Sequence, residues 1–544
     1  MNHNEYKNMS LYEAFIKGMQ SNDGTPCFVY MDKSYSYDYV LNEIEKVAFL
    51  LVKHGIKFGD IITVALPNIP QIEYIIYGAN KIGAIVHLIH PQVTKEQLIS
   101  CITKTESKFV FMLDILALGF SKEFTNINAK LFTIKQLDVQ NIDKGYTQNY
   151  GSENAIDFDK EILTTAKFDT VSFNPRNSRI TTFMFNGSGT NGISNIIEMS
   201  DCAINSVVGY IFDSIGATNS DKKYNTSAFL PLFHSMGFIC MHVVNMRGQL
   251  HVISSRFDVD EIIHYIEREQ IKVIVGPPIV FKRLLDHTKF TGKTLQNLTV
   301  SFVSSDLVPH NLIDAYDARM IENNSDNRLC QCYGLSETVS GTCFNSLYDN
   351  KHYTCGRPTP AAQYRIYDET LNLLKENGIG ELYIAGDCLC NGYYKSDKAN
   401  SECFYYADDG KRYVKTGDIM EIDSEGYVSF ISRKKRVIKV LGYSVFPSEI
   451  EQVAMNVDGI NKACAIAIPD ERLGSRVVLY YEATKDSPEI LSALQIECKK
   501  HLMPQSIPKE YKYIDCIPLT MLSKTDAIAL KKIYDQEYSR GIDK

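Results

Sequence analysis

Between Asp60 and Leu113 the chain twice changes from a strand-like pattern to a helix-like one and back, and this restricts the fold more than any other feature. Ile61 to Leu66 is an apolar run. Pro67 and Pro70 then open a helix over Gln71 to Ile82, Gly83 closes it, and Ala84 to Leu88 is again β-branched and apolar. A second unit follows, with a helix over Lys95 to Thr103 and a strand over Lys108 to Leu113. Strands alternating with helices imply an α/β class with largely parallel, doubly wound sheets. Further units fall at Ile262 to Glu267 with Val273 to Val275, and at Leu312 to Ile321. No repeat of solenoid period is present.

A chain of 544 residues exceeds what one hydrophobic core organises, so at least one large and one small unit are expected. The texture changes at Ser432-Arg433-Lys434-Lys435-Arg436. Upstream lies a β-rich stretch, Glu381 to Ala385 onward, punctuated by the turn signals Asn391-Gly392-Tyr393, Asp408-Asp409-Gly410 and Ser424-Glu425-Gly426. Downstream is a compact α+β pattern of small-domain size. The boundary placed at the basic cluster gives a multi-subdomain amino-terminal domain over 1–434, including the β-rich subdomain, and a small α+β domain over 435–544. The cluster itself reads as a solvated charged turn.

Charge excludes some partners. The 65 acidic and 57 basic residues give a net charge of −8 spread along the chain, which offers no field to nucleic acid or anionic membrane and favours a small-molecule partner. The start, Met1-Asn2-His3-Asn4-Glu5, is polar, and no run of about 18 apolar residues occurs, so a cytoplasmic protein without a membrane span is expected. The 14 cysteines are scattered, and the pairs Cys330/Cys332 and Cys388/Cys390 have one intervening residue where zinc sites have more. They read as reduced structural thiols.

The segment Ile180 to Gly192 is an apolar strand running into the loop Gly187-Ser188-Gly189-Thr190-Asn191-Gly192. Glycines let backbone N–H groups curl round an anion, and Ser188 and Thr190 add hydroxyl donors, so the loop suits phosphate. Its spacing also satisfies the dinucleotide fingerprint and the glycine frame of a Walker loop. Context opposes both. Ile193-Ser194 stands where a Walker loop needs Lys-Ser or Lys-Thr, and Ile193 to Met199 reads as extended, with the next helix beginning near Asp201. A dehydrogenase also lacks its acidic ribose partner at the expected spacing.

The loop is the first of an ordered series. Leu230-Pro231-Leu232-Phe233-His234-Ser235 follows, then Tyr333-Gly334-Leu335-Ser336-Glu337, Tyr413-Val414-Lys415-Thr416-Gly417-Asp418, Arg433, and Pro518-Leu519-Thr520-Met521-Leu522-Ser523-Lys524. Each alone could be a turn, a cap or a solvated surface charge; their common order is far more specific. The chain resembles the adenylate-forming superfamily of acyl- and aryl-CoA synthetases, firefly luciferase and peptide-synthetase adenylation domains, from about Tyr35 to Leu530.

The resemblance implies an AMP-forming acid–thiol ligase. Carboxylate and ATP would give an acyl-adenylate, and the acyl group would pass to CoA or to the phosphopantetheine arm of an acyl or peptidyl carrier protein. Ser188, Gly189, Thr190 and Gly192 would cover the ATP phosphates, and Ser336 would touch the α-phosphate. Glu337 would hold Mg²⁺, and Asp418 the ribose hydroxyls with Arg433 close by. Ser304-Ser305-Asp306 and Cys332-Tyr333 fall where the family wraps adenine. Lys524 would bridge the substrate carboxylate and the α-phosphate. His234 would line the acyl pocket and gate the thiol. The small domain would be mobile, turning on Lys435, with a thiol tunnel beside Gly442 and Tyr443. The aspartate that pairs with an α-amino group in the peptide-synthetase branch is absent from Phe233 to Phe238, which disfavours an amino acid substrate.

One departure is large. The family's loop continues with Pro-Lys-Gly, whereas here Ser194-Asn195-Ile196 follows, so the lysine that neutralises the β and γ phosphates is missing. A slow enzyme, compensation by another basic residue, and a non-catalytic ligand-binding relative all remain open at this point. Ser523 likewise replaces a glycine beside Lys524.

Overall fold

In the computed structural model the strand expected over Ile61 to Leu66 forms as Ile61–Ala65 and the helix after it as Pro70–Ile82, with Pro70 in its first turn. Gly83 closes that helix at φ 77°, a left-handed conformation that glycine adopts without steric cost. The second unit forms as Lys95–Thr105 and Phe109–Leu113. The described residues are 3–117, 127, 129–135, 155–165, 169–187, 195–214, 224–255, 257–368, 372–374, 377–520 and 524–542.

These strands lie in an eight-stranded sheet. Ile61–Ala65 pairs in parallel with Ile85–Leu88 and with Phe109–Leu113, and Ile85–Leu88 pairs in parallel with Thr181–Asn186. The expected parallel order ends there. Thr181–Asn186 turns back on itself as Ile196–Ser200, antiparallel, and Gly392–Tyr393 adds the edge. The strands on either side of the glycine loop are therefore antiparallel partners, and the helix after them begins only at Asp201. That geometry removes both the Walker and the dinucleotide readings, which need the loop to open directly into a helix.

A second sheet has nine strands, with a parallel run from Phe28–Tyr30 to Leu329–Gly334 and antiparallel strands at both edges. Helices Leu11–Gln20, Tyr37–Lys53 and Pro70–Ile82 bury Phe15, Ile44, Leu51 and Tyr77 against this framework. Burying one such side chain contributes about 1.5–3 kcal/mol. The β-rich stretch forms a six-stranded antiparallel sheet built on Gly378–Ala385 and Arg412–Ile422.

From Ile438 onward the chain forms a hairpin, Ile438–Val440 with Tyr443–Val445, and a three-stranded sheet of Ile460–Asp470, Gly474–Ala483 and Glu510–Tyr513. Helices Pro447–Met455 and Pro488–His501 share one core with it, and Ala527–Ile542 packs a second. Among the described residues all 14 cysteines are free thiols, and no helix is long and apolar enough to cross a membrane.

The basic cluster differs from a solvated turn. Lys434 Nζ reaches Glu381 Oε2 of the β-rich sheet at 2.6 Å, while Arg436 pairs with Glu451 and donates to the Ala465 carbonyl at 3.2 Å, both in the small domain. Lys435 stands exposed between these two anchors.

Candidate active site

The hairpin loop is closed at its base by the Gly187 N–H donating to the Asn195 carbonyl at 2.8 Å. Ser188, Gly189, Thr190 and Gly192 lie outside the described residues. Asn186, which leads into the loop, is held from below: its Oδ1 sits 3.0 Å from His87 Nε2, and its amide donates to Cys101 Sγ at 3.6 Å.

Leu329–Gly334 delivers Cys332 and Tyr333 to the carboxy-terminal end of the parallel run, and a 3₁₀ turn, Ser336–Thr338, follows. The Tyr333 hydroxyl donates to Asp418 Oδ2 at 2.6 Å. Arg433 Nε lies 2.9 Å from Asp418 Oδ1 but is not aligned to hydrogen-bond it, so this buried oxygen keeps a free acceptor site. Strand pairing sets this up, since Asp418 and Arg433 are direct partners across adjacent antiparallel strands. Burial raises the Asp418 carboxyl above the usual range, and Arg433, Tyr333 and Lys524 oppose that.

Glu337 is fixed by a residue absent from the sequence reading as a site residue. The Tyr393 hydroxyl donates to Glu337 Oε1 at 2.8 Å, and the Cys390 N–H donates to the Glu337 carbonyl at 2.9 Å. Among the described residues no three His, Cys, Asp or Glu side chains cluster as a metal cage. A lone carboxylate with one oxygen engaged matches what Mg²⁺ takes from a protein when phosphate and water supply the remaining ligands.

Lys524 comes from the other domain. Its loop is pinned by the Thr520 N–H donating to the Lys524 carbonyl at 2.7 Å and the Lys524 N–H donating to Thr520 Oγ1 at 3.2 Å; residues 521–523 between them lie outside the described residues. Burial lowers the ammonium below the ordinary lysine range and Arg433 adds to this, while Asp306, Asp418 and Glu337 oppose it. Lys524 thus shares one electrostatic neighbourhood with three carboxylates of the large domain. His234 belongs to it too, held down to about 4 by burial and by Lys524, so its imidazole is neutral at pH 7.

His234 caps the helix Ser235–Asn245, its Nδ1 accepting from the Met236 N–H at 3.4 Å. The turn is tight: a Cβ on Gly237 would sit 2.2 Å from the Pro231 carbonyl oxygen, which requires glycine there. Beyond His234 the helix walls an apolar cavity with Met236, Ile239 and Val243, facing Val275, Phe302 and Cys332 from the strands. Among the described residues no charged side chain lines it. The Cys332 thiol, pushed up to about 12 by burial, is neutral there. Ser305, at φ 80°, hydrogen-bonds Met236 Sδ at 3.7 Å, linking the cavity wall to the Ser304–Asp306 segment.

The structure therefore brings together Glu337, Asp418, Arg433, Tyr333, His234, Ser305 and Lys524, with Ser304, Cys332 and Ser336 on the same segments. Asp306 faces the small domain, with Lys462 Nζ at 3.9 Å. Gly442 and Tyr443 form the tip of the exposed hairpin, and among the described residues no hydrogen bond or ion pair joins them to the cluster.

The AMP-binding enzyme family model matches residues 17–394, and the AMP-binding enzyme C-terminal domain matches 449–524. The chain is 23% identical over 552 residues to a long-chain-fatty-acid–CoA ligase of Yersinia pestis, covering 98% of this chain and 95% of that one. It is 26% identical over 542 residues to an acyl-CoA ligase of Aspergillus fumigatus, covering 95% and 89%. In fold it superposes on ATP-bound MatB from Rhodopseudomonas palustris with a TM-score of 0.84 at 20% identity, covering 97% of this chain and 100% of that one. The chain belongs to the AMP-binding enzyme family, and Lys524 ends the segment matched to the family's C-terminal domain.

Proposed function

We propose that this protein is an ATP-dependent acid–thiol ligase that activates an apolar carboxylic acid as its acyl-adenylate and transfers the acyl group to CoA. The carrying observation is the convergence of Lys524, from the small domain, with Glu337, Asp418 and Arg433 of the large domain in one neighbourhood. In the first half-reaction a carboxylate oxygen attacks the α-phosphorus and pyrophosphate leaves. Lys524 offsets the negative charge shared between carboxylate and phosphate, acting where burial keeps it from being screened. Asp418 Oδ1, buried and unfilled, receives a ribose hydroxyl, while Tyr333 and Arg433 hold the carboxylate in place. Glu337 would hold Mg²⁺ against the phosphates, supplying charge neutralisation there. In the second half-reaction the thiol sulfur attacks the acyl carbon and AMP departs.

The cavity's apolar lining supports an acid whose remainder is uncharged, because burying an ionised group without a partner is costly. Dicarboxylates and α-amino acids are disfavoured on the same ground. Neutral His234, two residues before Met236 of the cavity wall, adds no charge to oppose an alkyl or aryl chain.

A panel of aliphatic and aromatic acids, scored by carboxylate-dependent pyrophosphate release and by hydroxamate trapping, tests the reading. Uncharged-tail acids should release pyrophosphate and AMP and, with CoA present, give a thioester. Orthophosphate with ADP would refute acyl-adenylate chemistry, and a thioester formed only with a phosphopantetheinylated carrier protein would move the acceptor from CoA to that protein.

A further inference from the structure

The two domains meet along the segment 305–311 of the large domain and the face of the small domain formed by Pro447–Met455 and the start of Ile460–Asp470. Apart from Asp306 the contact rests on apolar packing and hydrogen bonds, with Lys282 adding to it from outside that segment. Leu307 packs on the small-domain core, Lys282 Nζ donates to Asn461 Oδ1 at 2.7 Å, and the Asn311 amide donates to the Met455 carbonyl at 2.6 Å. Asp306 is different. One of its oxygens accepts from the Leu307 N–H at 2.9 Å, which fixes the carboxylate, and the other points at Lys462 Nζ 3.9 Å away. Its charge also acts on Lys524 and on Arg436. A single large-domain carboxylate thus meets Lys462 directly, and its charge reaches two further small-domain cations, Arg436 and Lys524.

Arg436 already has a carboxylate of its own domain, Glu451, whereas among the described residues neither Lys462 nor Lys524 has an ion-pair partner other than the Asp306–Lys462 contact. Rotating the small domain would carry all three cations away from Asp306. Their attraction to it therefore exists in the Lys524-inserted arrangement and is lost outside it.

We propose that Asp306 is a positioning residue that holds the small domain in the arrangement placing Lys524 over the site, and so favours adenylation over thioester formation. Asp306 touches no reacting atom in this account. It acts through Lys462 and Lys524, and it deepens the two-half-reaction reading on which it rests.

The test uses the full-length protein and two kinds of readout. Asp306→Asn keeps shape and removes charge. It should lower acid-dependent ATP–pyrophosphate exchange by about tenfold, the scale of losing one partly buried charge contact. Thioester formation from supplied acyl-AMP and CoA should be unchanged or faster, and Asp306→Glu should restore exchange. Independently of activity, amide hydrogen exchange without ligand should speed up at 305–311 and 460–462 in Asp306→Asn. Lys462→Ala, made from the other side, should have the same effect and serves if Asp306→Asn fails to fold. Equal loss in both half-reactions, or unchanged amide protection in both variants, would overturn the inference. If the native protein forms no acyl-AMP with any acid, the proposed function fails, while the hydrogen-exchange comparison still decides the role of Asp306.

Discussion

At the scale of single residues the site is a set of side chains held by partners remote in sequence. Glu337 takes its orientation from Tyr393, and Asp418 from Tyr333 and Arg433. Because Tyr393 occupies one Glu337 oxygen, the other is the one available to a metal. Glu337→Gln should therefore lower turnover and raise the Mg²⁺ concentration needed for half-maximal activity; an unchanged metal dependence would contradict the assignment. Glu337, Asp418 and Lys524 were legible in the sequence because each sits in a short motif whose order is shared with a family. Tyr393 was not. It stands in Asn391-Gly392-Tyr393, which locally says only that the chain turns, and its meeting with Glu337 depends on the Gly392–Tyr393 strand pairing with Ile196–Ser200. Asp306 was legible as part of a motif but not in its direction, since the cations it faces belong to another domain.

At the scale of elements the chain's periodicity was a good guide wherever a strand is buried on both faces. Ile61–Ala65 and Phe109–Leu113 are buried along their whole length and read as continuous apolar runs, as parallel strands do. The antiparallel return of Ile196–Ser200 was legible only as extended backbone, because period does not distinguish an edge hairpin from a crossover strand. That hairpin bears on the missing loop lysine. Asn195 is exposed, and its carbonyl is fixed in the hairpin neck by the Gly187 N–H, so a longer side chain there changes no buried contact. Asn195→Lys should lower the KM for ATP or raise turnover by supplying a cation to the phosphates. No response, or a loss, would mean that the loop presents position 195 away from them. The walls of the apolar cavity come from two helices and several strands, a juxtaposition that no local pattern announces.

At the scale of the whole molecule two properties follow, one of stability and one of mechanism. His87 and His242 are fully buried, and burial holds them down to about 4 and about 3. Unfolded imidazoles take up a proton near 6.5, so between that pH and about 4 the unfolded chain binds more protons and stability falls as pH drops. Over the roughly two pH units from 6.5 to 4.5 each costs at most about 3 kcal/mol, and melting temperature should decline from pH 7 to pH 4.5, less steeply in His87→Gln. An equal slope in that variant would show that His87 is not the neutral buried group described. The mechanistic property is that Lys524 of the small domain shares an electrostatic neighbourhood with Glu337 and Asp418 of the large domain, with Lys435 exposed between the Lys434–Glu381 and Arg436–Glu451 anchors. The most direct measurement compares the two half-reactions in Lys524→Ala. The account predicts that ATP–pyrophosphate exchange falls by a factor on the order of 10² or more, as for loss of a charged transition-state stabiliser, while thioester formation from supplied acyl-AMP and CoA persists. Equal damage to both half-reactions, or exchange that survives, would contradict it.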